Sequence, residues 1–185
     1  MLPIHDRTDA DLVHLCNTAA SPVATAAFAA LYRRHRTYVL RIAARFAGDR
    51  DTALDALQET FAWLLRQFPP VGEGLTLTGK LTTLLYPVAK HCALDLRRQG
   101  RRDTTGLDIP EQPAPPASSA NDLEAVFAAL SEDHREVLVL HYVEGWTLAE
   151  IAEALAIPLG TVKSRLHLAV KQLRDDPVAR QFFAP

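Results

Sequence analysis

The sequence predicts an all-α fold of two small helical domains joined by a flexible linker. Three observations carry that prediction. Ala, Leu and Arg recur at helical spacing along most of the chain, and strand signals are nearly absent. The stretch DTTGLDIPEQPAPPASSAND (103–122) holds four of the twelve prolines among small and acidic residues, so it makes a poor helix and a poor core. The 185 residues, 48% of them hydrophobic, suffice for one ordinary domain or two small ones. The expected domains are therefore 9–102 and 121–176, with the linker at 103–120.

In the first domain the apolar periodicity predicts helices near 9–19, 23–47, 50–67 and 80–101. Gly48-Asp49 breaks the second from the third, and a loop containing PPVGEG fills 68–79. Pro87 lies inside the fourth segment. It removes one backbone hydrogen bond and crowds the preceding turn, which predicts a kink or two shorter helices near 84–87. In the second domain helices are expected near 122–130, 132–144, 148–155 and 158–175. Thr147-Leu148-Ala149-Glu150 fits a capping box, and Pro158 suits a first helical turn.

Composition excludes several function classes. Twenty basic residues against 22 acidic ones give a net charge of −2, so neither a highly charged disordered tail nor a protein that coats nucleic acid by bulk charge fits. By segment the charge is uneven: +5 over 1–102, −4 over 103–122 and −3 over 123–185. Cys16 and Cys92 belong to no C-x-x-C spacing and read as two small buried hydrophobes in a reducing compartment. The start, MLPIHDRTDADL, lacks the pattern of a signal peptide, and no apolar run approaches the roughly 20 residues that span a bilayer. A cytoplasmic location is expected. The seven histidines are scattered, no H-E-x-x-H or glycine-rich phosphate loop occurs, and no cofactor, metal or catalytic set is expected.

The stretch GWTLAEIAEALAIPLGTVKSRLHLAVKQLR (145–174) is the most informative. Leu148, Ile151, Ala152 and Leu155 form one helix face, and Val162, Leu166, Ala169 and Leu173 form another. Ala156-Ile157-Pro158 leaves room only for a tight turn, so the two helices cross steeply as a helix-turn-helix. Turning the second stripe inward puts Gly160, Ser164, His167 and Lys171 at the centre of the outer face, flanked by Thr161, Lys163, Arg165, Leu168 and Arg174. That face reads as a DNA recognition surface, with an ordinary solvated face as the alternative. Leu168 fits a thymine methyl group or a protein neighbour, and a single exposed leucine also requires no explanation.

Two helices of the first domain have unusual outer faces. In 50–67, Leu54, Leu57, Phe61, Leu64 and Leu65 form the expected inward stripe, opposite Asp55, Glu59, Trp63 and Arg66. Trp63 ringed by charges suits a protein interface, or else it packs under a neighbouring helix or the 68–79 loop. In 80–101, Leu85, Val88, Ala89, Cys92 and Leu96 face the core, and Lys90, His91, Leu94, Arg97, Arg98 and Arg101 face away. That patch suits a phosphate track, although basic residues at a helix end also complement the helix dipole.

Three segments, in order, resemble the extracytoplasmic-function (ECF) RNA polymerase sigma factors. DALQETF (55–61) is similar to the family's core-polymerase-binding helix in region 2. LYPVAKHCALDLRR (85–98) resembles its promoter-melting and minus-ten-reading helix. LSEDHREVLVLHYVEGWTLAEIAEALAIPLGTVKSRLH (130–167) resembles region 4, which reads the minus-thirty-five element. The resemblance implies that Asp55, Gln58, Glu59 and Phe61 belong to the core-binding segment, with Phe61 supporting it from the core and Trp63 beside it. It implies that Lys90, His91, Asp95, Arg97 and Arg98 engage the minus-ten strand, whose unpaired bases are held by stacking and backbone contacts. Thr161, Lys163, Ser164, Arg165, His167 and Lys171 match the recognition helix, and Arg135 matches a backbone-contacting position.

The chain departs from the family pattern at Leu81, Leu84 and Leu85, which match an aromatic-rich Phe-x-x-Trp-Leu, and at Pro87, where a basic residue is common. Leu168 and Val170 likewise replace arginines, and the 68–79 loop is longer. The implied function is promoter-specific transcription initiation by a non-enzyme. The implied partners are RNA polymerase core, promoter DNA and an anti-sigma factor. The alternative is a stand-alone helix-turn-helix regulator, and a third reading is a helical interaction module. Co-purification with core polymerase separates the first two.

Overall fold

The computed structural model describes residues 3–104, 127 and 129–176. Among these residues seven α-helices and one 3-10 turn (Ile4–Asp6) are delimited, and there is no strand. The helices are α1 (Asp9–Thr18), α2 (Ser21–Ala47), α3 (Arg50–Arg66), α4 (Leu81–Thr104), α5 (Glu132–Tyr142), α6 (Leu148–Leu155) and α7 (Leu159–Asp175). The chain divides into two compact units, Met1–Asp108 and Ile109–Pro185, so α1–α4 belong to the first and α5–α7 to the second. The expected linker lies mostly outside the described residues, and α4 runs two residues past its expected start at 103.

In the first unit α2 is the spine on which α1, α3 and α4 pack. A capping box starts α1: the Thr8 hydroxyl accepts the Asp11 amide at 3.2 Å, and the Asp11 carboxylate accepts the Thr8 amide at 3.1 Å. Pro22 pre-sets the first turn of α2. Its far end is Gly48, whose φ of 94° is a left-handed conformation that favours glycine, and Asp49 then caps α3 by accepting the Thr52 amide at 2.8 Å. The core holds Leu12, Leu31, Val39, Phe46, Leu64, Leu81, Leu85 and Tyr86. Phe61 sits edge-on to Phe28 and Tyr32.

Two expectations need correction. The buried stripe of α3 is Ala53, Ala56, Leu57, Thr60, Phe61 and Leu64, while Leu54 is only half-buried and Leu65 is 53% exposed. Alanine permits the closest approach of a neighbouring helix, so α3 turns its small residues inward, and leucine count alone misleads. Helix α4 continues through Pro87 without a break. The proline falls early in the helix, where it forfeits one bond, and the fully buried Leu85, Tyr86 and Ala89 around it hold the geometry. The buried side of α4 is completed by Leu81 and Ala93, whereas Val88, Cys92 and Leu96 are half-buried.

The 68–79 connection is tied to α1. Asn17 donates its amide to the Leu75 carbonyl at 2.8 Å and accepts the Leu75 N–H at 2.9 Å. Asp9 anchors the N-terminal segment to α2: its carboxylate accepts Arg34 Nη1 at 2.6 Å and faces His35 Nε2 at 2.8 Å. Burial pushes the Asp9 carboxyl up, but the hydrogen bonds and charges of His35 and Arg34 outweigh it and hold the group below its usual value.

In the second unit Ser131 caps α5 through the His134 amide. The helix expected at 122–130 lies mainly outside the described residues; Phe127 and Ala129 are helical. The Thr147–Glu150 capping box forms, with the Thr147 amide 2.7 Å from the Glu150 carboxylate. Ala156, at φ 52°, makes the left-handed turn, and Pro158 is the residue before α7, one position earlier than expected. Trp146 is 2% exposed, and Leu140, Ile151 and Val162 are fully buried. Leu166, Val170 and Leu173 pack against Leu130, Leu138 and Ala169. No described helix is long and apolar enough to cross a membrane.

Candidate nucleic-acid and protein interfaces

Because Val162 and Ala169 are fully buried, α7 turns Lys163, Ser164, His167 and Lys171 outward, all exposed. Thr161 is half-buried on one flank, and Leu168, 45% exposed, lies beside it. Arg165 is held back: its Nη2 pairs with the Asp133 carboxylate at 2.5 Å, at the start of α5. Arg135 also turns inward, donating Nη2 to the Leu130 carbonyl at 3.1 Å while its Nε is enclosed without a hydrogen-bond partner. Four of the expected recognition residues thus share one exposed face, and the two arginines are engaged within the unit.

On α4 the expected residues separate into two rows. His91 Nε2 lies 2.9 Å from Asp95, and Arg98 Nη1 lies 3.4 Å from the other oxygen of the same carboxylate. Asp95 therefore joins and partly neutralises that row. Lys90 and Arg97 form the second row, next to α2: the Lys90 ammonium sits 5.2 Å above the Phe46 ring. On α3, Asp55, Gln58 and Glu59 are exposed, with Arg66 4.0 Å from Glu59. Phe61 is buried beneath them, and Trp63 is half-buried on the flank of the helix. Sequence reasoning missed the exposed Leu65 beside this face. It also left aside α2, which carries five arginines and no acid. That signal was available in the acid-free run itself.

The cysteines are free. Burial pushes the Cys16 thiol up to about 11, and burial is also the main cause that raises Cys92. Among the described residues no group of His, Cys, Asp or Glu could hold a metal ion.

Two helical units, the second a helix-turn-helix with a polar and basic outer face, fit a nucleic-acid-binding protein, and comparison with known proteins gives the family. Residues 31–103 match the family model Sigma-70 region 2, and residues 120–173 match Sigma-70, region 4. The chain is 37% identical over 168 residues to the ECF RNA polymerase sigma factor SigL of Mycobacterium tuberculosis, covering 85% of this chain and 92% of that one. Its fold is similar to the sigma factor RpoE of Bartonella quintana, solved with the anti-sigma factor NepR (TM-score 0.57, 23% identity, 80% and 94% covered). It is also similar to CnrH, solved with the cytosolic domain of CnrY (TM-score 0.61, 19% identity, 90% and 95% covered). The chain belongs to the ECF RNA polymerase sigma factors, proteins of transcription initiation.

Proposed function

We propose that this sigma factor binds RNA polymerase core through Asp55, Gln58 and Glu59 of α3, with Trp63 at the flank and Phe61 as support from beneath. In this reading Lys90, His91, Asp95, Arg97 and Arg98 of α4 engage the minus-ten strand. Thr161, Lys163, Ser164, Arg165, His167 and Lys171 of α7 read the minus-thirty-five duplex, with Arg135 on its backbone. Region 2 then occupies 9–102, the linker 103–120 and region 4 121–176. The protein is a cytoplasmic specificity subunit, not an enzyme, and an anti-sigma factor is a partner, as NepR is for the structurally similar RpoE.

The observation that carries this reading is the segregation of charge on one small bundle. The outer row of α3 presents Asp55 and Glu59 against a single Arg66, while α2 and α4 are strongly basic. Opposite fields suit one protein partner and one polyanion. The test is a titration of purified core polymerase with labelled protein. The double variant D55A/E59A is expected to lose at least about tenfold in core affinity, the scale of one or two interface hot-spot residues, with its helical circular dichroism unchanged. Wild-type affinity in that variant removes the α3 assignment. Tight promoter binding by the chain without core favours a stand-alone regulator instead.

A further inference from the structure

Lys163, His167 and Lys171 of α7 are exposed, but Arg165, next to Ser164 at the edge of the same face, keeps only 26% of its side chain in solvent. Its Nη2 pairs with the Asp133 carboxylate at 2.5 Å. Two turns further along the same side of the helix, Gln172 donates Nε2 to the Ala129 carbonyl at 2.9 Å. Between those two anchors in sequence, Leu130 is buried in a cluster with Leu138 and Ala169. The short segment 129–133 therefore grips α7 with a carbonyl, an apolar side chain and a carboxylate.

What Asp133 adds to this grip is direction more than stability. Its side chain is 57% exposed, and an ion pair so open to water contributes little to folding. Val162 and Ala169, both fully buried, already fix the rotation of α7. As an acid in the first turn Asp133 also complements the dipole of α5, but Glu132 brings the same charge to the same turn. The helix terminus thus does not account for the acid that reaches Arg165. A long arginine side chain loses much rotamer freedom when it binds, and a partner that orders it beforehand moves that cost from binding to folding. The guanidinium is a fork of several N–H donors, so a carboxylate at Nη2 leaves the fork able to meet a second acceptor.

We propose that Asp133 is a positioning residue for promoter recognition: it holds Arg165 by Nη2 at the edge of the outer face of α7, ordered to meet the minus-thirty-five base pairs. The inference rests on the reading of α7 as the helix that reads that element. Asp133 touches no DNA in this scheme and acts through Arg165. Loss of either residue removes the same contribution, and loss of both costs no more than loss of Arg165. A carboxylate near DNA also repels phosphates, but that repulsion acts on every duplex alike and cancels in the ratio of two affinities.

The experiment measures that ratio by anisotropy, using core polymerase reconstituted with wild-type chain, D133A, R165A, D133A/R165A, D133E or E132A. The two duplexes are a promoter selected from a randomised library by core with the wild-type chain, and the same promoter with its minus-thirty-five element scrambled. In D133A the ratio should fall about two- to tenfold, the scale of ordering one long side chain. R165A should fall at least as far and the double variant no further than R165A, the signature of two residues acting as one. D133E should keep most of the wild-type ratio and E132A all of it. An unchanged ratio in D133A beside a reduced one in R165A overturns the positioning role alone. An unchanged ratio in R165A overturns the reading of Arg165 as well. Additive losses in the double variant show that Asp133 acts independently of Arg165 and overturn the proposal. Equal losses in D133A and E132A overturn it in favour of the general charge of the first turn. Should D133A melt below wild type, Asp133→Asn, of the same shape, reads the same ratio, with an expected fall of at least about twofold.

Discussion

Arg165 shows how one side chain serves two environments. In the free chain its guanidinium is paired with Asp133 at 2.5 Å, and on the recognition helix it stands among the residues proposed to meet DNA. The pair is partly exposed, so its contribution to stability is at most about 1 kcal/mol. Arg165→Ala should therefore leave the unfolding midpoint nearly unchanged and core binding intact, and should reduce promoter-dependent transcription several-fold. Equal loss of core binding would falsify its assignment to DNA. Asp9 supports a second prediction at this scale. Its carboxyl is lowered in the folded chain, so the stability it contributes is present above the unfolded carboxylate range, about 4, and is lost as pH falls through the lower folded value. Asp9→Asn should lower the melting temperature at pH 7, and the gap from wild type should close below about pH 4. A gap constant down to pH 3 would show that the carboxylate charge is not what anchors α1.

At the scale of elements, caps were legible and rotations were not. Thr147 and Glu150 stand at the spacing a capping box requires, and the bonds form. Thr147→Ala should cost about 1 kcal/mol, read as a lower urea midpoint for the helix-turn-helix unit. The same signature at Thr8 and Asp11 went unread because aspartate in place of glutamate departs from the usual pattern. Of the two expectations at Pro87, a kink or two shorter helices, the second fails, because α4 is one helix through it. Burial of Leu85, Tyr86 and Ala89 outweighs one missing hydrogen bond. Pro87→Ala should stabilise the first unit by about 1–3 kcal/mol, since alanine restores a donor and removes a clash. Urea denaturation measures it, and a destabilised variant would mean that the proline's own packing matters more.

At the scale of the molecule, the near-neutral total conceals a division of labour. A net charge of −2 gives little general attraction to DNA, while α2 and α4 concentrate positive charge within one unit. The chain alone should therefore bind a labelled promoter duplex weakly at about 0.15 M salt, an ionic strength that screens charges beyond about 8 Å. Adding core polymerase should bring binding to saturation at the same protein concentration. Anisotropy of the labelled duplex checks both statements. Saturation by the chain alone would locate the missing affinity within it rather than in the polymerase.

The amino-acid sequence by itself determined the all-α class, the break at Gly48-Asp49, the helix-turn-helix and its outward Lys163, Ser164, His167 and Lys171. Each follows from local rules: helical periodicity, caps and turn residues act over a few positions. Only the tertiary structure decided that α3 turns Ala53 and Ala56 inward and Leu65 outward. It alone engaged Arg165 with Asp133 and Gln172 with the Ala129 carbonyl. Those outcomes depend on which helix approaches which and how closely, and residues far apart in sequence set that together. The charges of the proposed recognition face were countable from the start; the contact that holds Arg165 at its edge was not.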